Sequence, residues 1–371
     1  MKRTLLSGGG TGGHIYPALS IMKAVRRRYP EVEVAYIGTK EGLEAQIVPK
    51  AGELSFYTVE VQGFKRKLSL GNVRTVYKFL SATRKAKQYI REFRPDVVVG
   101  TGGYVSGPSV YAAYQLGIPT LIHEQNVVLG LTTRFLSRYV DRVAISFEGS
   151  RQYLNQAKSV ILTGNPRATE VAHADAEAGR ASLGLSSDKP LILFVGGSRG
   201  AQPLNKAVLE LIPKVKEADQ FHFVYVTGEV HYQKVMKELD LDTLPNLTVK
   251  PFIYNMPDVL AATSLVIGRA GASTLAELTS LGIPSILVPS PYVTANHQEL
   301  NARWMEKEGA VVVLLEKECS GSKLWDMIME IMTDKERHQQ MSIAAKKLGK
   351  PEAAEVLVDE LEKIVQERQD L

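Results

Sequence analysis

Glycines followed by a histidine near the start of the chain could bind an anion and move a proton. Residues 4–6 read as a short strand, the glycine-rich segment 8–14 follows, and a helical pattern runs from 17 to about 29. A strand-to-helix loop presents backbone N–H groups and the positive end of the helix to an anion. His14 lies in the first turn, where the helix dipole disfavours the imidazolium and leaves a neutral ring that can accept a proton. The segment predicts a phosphate site with a candidate general base.

A second glycine-rich segment, residues 101–108, leaves a predicted strand at 96–100. Two such loops in one half of the chain indicate a diphosphate or a large phosphorylated ligand. The alternative is that the glycines only permit tight turns. His123 and Glu124, at the end of another predicted strand, are weaker functional candidates.

Two nucleotide-binding motifs are disfavoured. Gly8, Gly10 and Gly13 satisfy G-x-G-x-x-G, but a dinucleotide site also needs an acid at the end of the second strand, where residues 38–40 read Gly-Thr-Lys. The glycines also lack the Lys-Ser/Thr pair of a Walker motif.

Two further motifs resemble a catalytic site and a metal site, but their context favours other interpretations. Residues 196–200 fit the G-x-S-x-G of a hydrolase, with His297 downstream, but that reading leaves the first half unexplained, so a phosphate-binding turn suits Ser198 better. Asp240 and Asp242 form a D-x-D that trails a charged helical segment before Pro245, away from the carboxyl end of any predicted strand. We interpret it as solvated surface and expect no metal held by the protein.

The elements that must position these loops alternate between short β-rich runs and amphipathic stretches, which is typical of parallel α/β structure. The pattern begins again at residue 191, and the sequence of residues 114–120 is similar to that of residues 279–285. We predict two Rossmann-like doubly wound domains facing a central cleft at the carboxyl ends of the strands. The domains are 1–163, with a C-terminal helix at about 352–371, and 164–351. Further strands are predicted at 32–37, 96–100, 120–123, 142–146, 191–195, 222–227, 247–249, 265–268 and 285–289.

Composition limits the class of protein. The chain has 371 residues, 44% hydrophobic and 23% charged, and its one cysteine, Cys319, excludes an internal disulfide framework. Residues 1–160 carry 23 Lys and Arg against 11 Asp and Glu, whereas the remainder carries 22 against 29. A basic half usually meets phosphate. The short N-terminal apolar run and the lack of about 18 continuous apolar residues predict a cytoplasmic protein that does not span a membrane.

Over nearly its whole length the sequence resembles the peptidoglycan N-acetylglucosaminyltransferase family, which has the GT-B fold. Four stretches carry the resemblance in the expected order: residues 8–17; 101–108 with 123–126; 164–167 with 196–201; and 268–277 with 296–301. The resemblance implies transfer of N-acetylglucosamine, with inversion, from UDP-N-acetylglucosamine to the muramyl 4-hydroxyl of lipid I, a step of peptidoglycan synthesis. It implies no tightly bound cofactor.

The resemblance also implies site residues. His14 and Glu277 would be catalytic, with Glu277 accepting both ribose hydroxyls of the donor. The donor site would comprise Thr11, Gly12, Gly13, Asn126, Arg167, Ser198, Ile253, Ala272, Ser273, Thr274, Leu275, Ala276, Glu277, Gln298 and Asn301. The acceptor site would comprise Gly10, Gly13, His14, Gly102, Gly103, Tyr104, Ser106 and Asn126.

Residues 65–94 could contact a membrane, because ten Lys or Arg and one acid, Glu92, interleave there with apolar residues. Such a stretch suits an anionic lipid surface, and we predict a peripheral protein on the cytoplasmic face of the cell membrane. A core-facing stripe with a solvated basic face is the alternative, and few aromatics argue against nucleic acid. The predicted patch is Lys65, Arg66, Lys67, Leu68, Leu70, Arg74, Tyr77 and Arg84.

Other function classes stay open at this point. A UDP-sugar epimerase or a transferase with a different acceptor would share the architecture. A non-catalytic protein that binds phosphate or nucleic acid would show neither sugar conversion nor acceptor-dependent UDP release.

Overall fold

The structure, a computed structural model, describes residues 1–63, 71–185, 189–197 and 200–370, without the side chains of 71 and 72. The chain forms two compact units. Unit 1 comprises Met1–Arg167 and Glu352–Leu371, and unit 2 comprises Ala168–Pro351.

Unit 1 contains a parallel sheet that has seven strands in the described part of the chain, in the order β3-β2-β1-β4-β5-β6-β7. The strands are β1 Arg3–Ser7, β2 Glu33–Gly38, β3 Ser55–Thr58, β4 Val97–Gly100, β5 Thr120–Glu124, β6 Arg142–Ile145 and β7 Val160–Leu162. The runs of β-branched and aliphatic residues in β1, β4 and β5 suit strands that are buried on both faces.

Helices cover both faces of this sheet. They are α1 Gly12–Arg28, α2 Leu43–Ile47, α3 Gly71–Phe93, α4 Gly103–Gln115, α5 Leu131–Leu136 and, from the end of the chain, α14 Ala353–Gln369. Alternate side chains of each strand enter two cores. Leu6 packs with α1 and α14, whereas its neighbour Leu5 packs with α3 and α4.

The α14 helix returns to unit 1 and packs along α1. Its apolar face lies in the same core as α1, and its polar face forms ion pairs, including Arg27 with Glu355 and Arg28 with Asp359, at 2.5 and 2.7 Å. These pairs are largely exposed, so we attribute most of the stabilisation to apolar burial.

Unit 2 repeats the plan with a parallel sheet in the order β10-β9-β8-β11-β12-β13. The strands are β8 Leu191–Val195, β9 His222–Val226, β10 Leu247–Lys250, β11 Thr263–Gly268, β12 Ser285–Leu287 and β13 Val311–Val313. The helices are α6 Ala176–Ser182, α7 Gln202–Glu217, α8 Glu229–Glu238, α9 Met256–Ala261, α10 Ala272–Leu281, α11 His297–Lys307, α12 Gly321–Thr333 and α13 Lys335–Leu348.

The prediction of an α/β fold built on two parallel sheets is confirmed. The start of the first helix was predicted too late, at residue 17. The backbone is already helical from Gly12, and Thr11 is the N-cap. Three strands, β3, β7 and β13, were not predicted. Within the described residues, no helix combines the length and the apolar character needed to cross a membrane.

Candidate active site

The loops that follow β1, β4 and β5 lie at one edge of the sheet of unit 1. These strands are neighbours and run parallel, so the segments that leave their carboxyl ends meet. They carry the glycines, His14 and Asn126 of the predicted acceptor site.

The first two loops interlock through their backbones. Gly9 N–H donates to Gly102 O at 3.3 Å, and the Thr101 hydroxyl donates to His14 O at 2.7 Å. Gly103 has φ +77°, and a Cβ there would lie 2.2 Å from Gly9 O. Glycine is therefore required at Gly103 for the close approach, in addition to any role in binding phosphate.

His14 is oriented by the backbone of its own loop. Its Nδ1 lies 3.0 Å from Gly9 O and 3.1 Å from Thr11 Oγ1. A carbonyl oxygen can only accept, so Nδ1 carries the hydrogen in the neutral ring and Nε2 carries the lone pair. The ring lies against Gly102, where a Cβ would come within 2.8 Å of His14 Cδ2. This tautomer is the one that a base acting through Nε2 needs.

A buried carboxylate, Glu44, supports the first loop from below. Its Oε2 accepts from Gly10 N–H at 3.1 Å, and its Oε1 accepts from the Thr39 N–H and hydroxyl at 3.1 and 2.6 Å. A Cβ at Gly9 would lie 2.6 Å from this carboxyl group. Sequence reasoning missed Glu44 because it looked for an acid at the end of β2, and this one comes from the short helix α2.

Asn126 is held by the predicted candidate Glu124. The Asn126 N–H and side-chain amide donate to Glu124 Oε1 at 3.1 and 3.3 Å, and Gly130 N–H donates to Oε2 at 3.0 Å. Ser150 donates to Asn126 O at 2.9 Å. Glu124 therefore shapes the loop that presents Asn126.

His123 has a structural setting. It is fully buried, with Nε2 2.9 Å from Gly164 O and Nδ1 3.0 Å from the Gln125 amide nitrogen. Burial lowers the pKa of His123 to about 4, and the bond to Gly164 O opposes that shift. The neutral ring joins the end of β5 to the segment that leads out of unit 1.

The remaining predicted residues of unit 1 differ in how they are placed. The Tyr104 ring lies 3.3 Å from the Cβ position of Gly10, and burial, then the charge of Glu44, raise the pKa of its phenol. Ser106 is buried and donates to Gly103 O at 3.1 Å, so its hydroxyl serves the helix. The Arg167 guanidinium lies 5.6 Å from the centre of the Tyr16 ring.

In unit 2 the predicted donor residues also follow the carboxyl ends of strands. After β8, Gly200 N–H donates to Gly197 O at 2.8 Å. A Cβ at Gly200 would lie 2.2 Å from Thr227 O, at the end of β9. The predicted donor residue Ser198 lies outside the described residues.

The start of α10 follows β11 and carries the largest group of predicted donor residues. Gly271 is the N-cap, and Ala272, Ser273 and Thr274 form the first turn. The helix dipole favours a phosphate there. Leu275 is buried and its N–H donates to Gly271 O at 3.0 Å, so its side chain and its N–H serve the fold. Ala276 follows it, and the buried Glu277 lies one residue further along the helix.

The other predicted donor residues of unit 2 come before and after α10 in the sequence. Ile253 is buried just after β10. Gln298 accepts from Ser290 N–H at 2.9 Å and so fixes the segment after β12, while Asn301 on the same helix is fully buried. Arg269, which was not predicted, donates to Val288 O at 2.9 Å and pairs with Glu316.

Asp240 and Asp242 follow α8 and precede β10, at the amino end of that strand. Among the described residues, no three His, Cys, Asp or Glu side chains are grouped as metal ligands.

Comparison with known families gives two matches in order. The glycosyltransferase family 28 N-terminal domain matches residues 4–145, and the glycosyltransferase family 28 C-terminal domain matches residues 191–357.

Relatives and solved structures match over nearly the full chain. Transferases of N-acetylglucosamine to N-acetylmuramyl-(pentapeptide) pyrophosphoryl-undecaprenol from Listeria welshimeri and Bacillus cereus are each 52% identical, covering 96% and 98% of this chain and 98% and 99% of those proteins. The Acinetobacter baumannii MurG structure is 29% identical with a TM-score of 0.78, covering 98% of this chain and all of that one. A Neisseria meningitidis UDP-GlcNAc 2-epimerase bound to UDP-GlcNAc has a TM-score of 0.67 at 17% identity, covering 98% of this chain and all of that one, which shows a shared fold.

Proposed function

The chain belongs to glycosyltransferase family 28, and on that premise we propose that it transfers N-acetylglucosamine from UDP-N-acetylglucosamine to lipid I. The product is lipid II, and the step belongs to peptidoglycan synthesis. One observation carries the proposal: relatives with this activity in their names are 52% identical over both units of the chain.

Unit 2 binds the donor in this proposal. The N–H groups at the start of α10 face the charge that develops on the leaving UDP, and Glu277 accepts the ribose hydroxyls. The resemblance adds Arg167, the last residue of the first segment of unit 1, as a positive charge for the diphosphate. The reaction then needs no tightly bound cofactor and no metal held by the protein, because these groups supply the electrostatic stabilisation.

Unit 1 binds the acceptor and holds the base. The muramyl 4-hydroxyl attacks the anomeric carbon, a new C–O bond forms, and the bond from that carbon to the diphosphate oxygen breaks with inversion. His14 Nε2 takes the hydroxyl proton and UDP leaves with the bonding pair. The tautomer set by Gly9 O supports this role.

A surface of unit 1 binds the membrane that carries the acceptor. On α3, Tyr77 is 72% and Leu80 59% exposed, beside the exposed Arg74 and Arg84. Phe79 of α3 makes an edge contact with Phe135 of α5, 5.7 Å between ring centres, which brings the exposed Leu131 and Arg134 alongside. Exposed apolar side chains with cations suit an anionic headgroup region.

The membrane surface thus extends onto α5. The predicted patch residues Lys65, Arg66, Lys67, Leu68 and Leu70 lie outside the described residues. The chain is placed by this proposal on the cytoplasmic face of the membrane as a peripheral protein.

UDP release from UDP-N-acetylglucosamine, measured with and without a short-chain lipid I analogue, tests the function. We expect release only when the analogue is present. Sugar conversion without acceptor would indicate an epimerase, and bound donor with no release in either case would indicate a different acceptor. Failure to bind the donor would overturn the proposal.

A further inference from the structure

The peptide group between Gly9 and Gly10 is bonded at both ends to ionisable side chains. Its N–H, from Gly10, donates to Glu44 Oε2 at 3.1 Å. Its carbonyl, from Gly9, lies 3.0 Å from His14 Nδ1. Glu44 and His14 are therefore linked through one peptide plane.

Each bond in this series has a defined direction. Gly10 N–H and Thr39 N–H can only donate, so both carboxylate oxygens of Glu44 accept. Gly9 O can only accept, so His14 Nδ1 donates. A carboxylate at the N–H end polarises the amide and makes its carbonyl a better acceptor, and hydrogen bonds in series strengthen one another.

We propose that Glu44 is a positioning residue for the transfer reaction, acting on His14 through the Gly9–Gly10 peptide. The inference rests on the proposed function, in which His14 is the base. It assigns to a buried carboxylate and a backbone amide the task that a directly bonded carboxylate has beside many catalytic histidines. Glu44 fixes the Nδ1–H tautomer and favours a proton on Nε2.

Two phenols also lie beside this loop, and neither supplies a negative charge at pH 7. Tyr36 donates to Gly8 O at 2.8 Å, and the Tyr104 ring lies beside Gly10. The pKa of each phenol is raised, first by burial and then by the charge of Glu44, so both are neutral at pH 7. Arg167, over Tyr16, is the nearby cation on the side of α1.

The test compares Glu44→Gln with Glu41→Gln, an exposed acid three residues away that loses the same charge. With the acceptor analogue, we expect E44Q to lower kcat about 10-fold and to move the acid limb of the pH–kcat profile down by about half a unit to one unit. E41Q should leave both unchanged. Hydrogen exchange of the sheet of unit 1 that is equal in the two variants shows that E44Q is folded.

A double-mutant cycle separates action through His14 from general support of the loop. In a His14→Ala background, E44Q should change kcat less than about twofold. An effect of E44Q that multiplies with that of H14A, or an acid limb that matches E41Q, would overturn the proposal.

NMR of the ring nitrogens keeps the inference testable without activity. In the unmodified protein at neutral pH we expect the Nδ1–H tautomer of His14, and in E44Q a lower titration midpoint of the His14 ring than in E41Q. The Nε2–H tautomer would refute the link to Glu44 even if E44Q does not fold. If the unmodified protein transfers no sugar but the midpoint still differs, the proposed function fails and the link stands.

Discussion

The segment after β1 in unit 1 and the segment after β8 in unit 2 follow corresponding strands, because the six strands of the second sheet have the order of the first six strands of the first sheet. They are supported differently. The first is bonded to the buried side chain of Glu44, and its backbone orients the ring of His14. The second packs against the backbone of a neighbouring segment, where Gly200 lies close to Thr227 O. In the proposed function, this repeated scaffold serves proton transfer in unit 1 and binding of the donor diphosphate in unit 2, and the two glycine-rich segments differ in the groups that support them.

The largest expected difference between the two units is in how much folding stability each loses at acid pH. Burial lowers the pKa of His123 in unit 1 from 6.5 to about 4, and lowers the pKa of the buried His222 in unit 2, assisted by the charges of Lys189 and Arg180. The unfolded chain takes up these protons at higher pH than the folded protein does. The contribution of His123 to the stability of unit 1 is therefore complete above pH 6.5, and about 3 kcal/mol of it is lost between pH 6.5 and about 4.

Urea unfolding followed by hydrogen exchange in each unit measures this difference. Unit 1 should lose more stability than unit 2 over that pH range, and His123→Gln should flatten the pH dependence of unit 1. An equal loss in both units would contradict the assignment of the effect to His123.

Replacing the proposed base, His14, should lower the rate of transfer and leave donor binding unchanged. We expect His14→Ala to lower kcat by about 100-fold or more, with the KM for UDP-N-acetylglucosamine near that of the parent, because the ring acts on the acceptor proton. Steady-state kinetics with the acceptor analogue measures it. The exposed His173→Ala is the matched control, and an H14A enzyme within a few-fold of the parent removes His14 from that role.

The reverse pattern is expected in unit 2. Glu277→Gln should raise the dissociation constant of UDP about 10- to 100-fold, because a charged hydrogen bond contributes about 1.5–3 kcal/mol. Calorimetric titration with UDP measures the change, and the exposed Glu308→Gln should bind as the parent does. Unchanged UDP binding in E277Q would mean that Glu277 does not meet the ribose.

Membrane binding should depend on unit 1 alone. Tyr77→Ser with Leu80→Ser should reduce retention on anionic vesicles about 10-fold, since two apolar side chains no longer leave water. The matched pair in unit 2 is Val230→Ser with Ile343→Ser, at residues 79% and 62% exposed, and it should change nothing. Equal losses from both pairs would locate the binding surface elsewhere.

Local patterns predicted the buried strands well and the edges poorly. The β8 strand was predicted with its observed bounds, because an apolar run that enters glycines is a strong signal. The strand β3, Ser55–Thr58, lies at the sheet edge with partly exposed side chains and offers no apolar run. The start of α1 was placed too late because glycines are poor helix formers, and the packing of the loop overrides that preference.

The candidate residues could be found from motifs, but their supports could not. Glycine spacing pointed to His14 and α10. The role of Glu44 depends on α2 folding beneath a loop over 30 residues earlier, and its trace in the sequence is indirect. Gly9, Gly38 and Gly42 are all places where a Cβ would meet the side chain of Glu44.

Because α14 packs in unit 1, the core of that unit cannot be completed until the end of the described chain has been synthesised. The apolar side chains Leu357, Val358 and Leu361 complete a core that also contains Ile15 and Ile21 of α1. A ribosome translates all of unit 2 between those two helices. Unit 1 is therefore completed only after unit 2 has been synthesised, and α1 cannot pack against α14 before then.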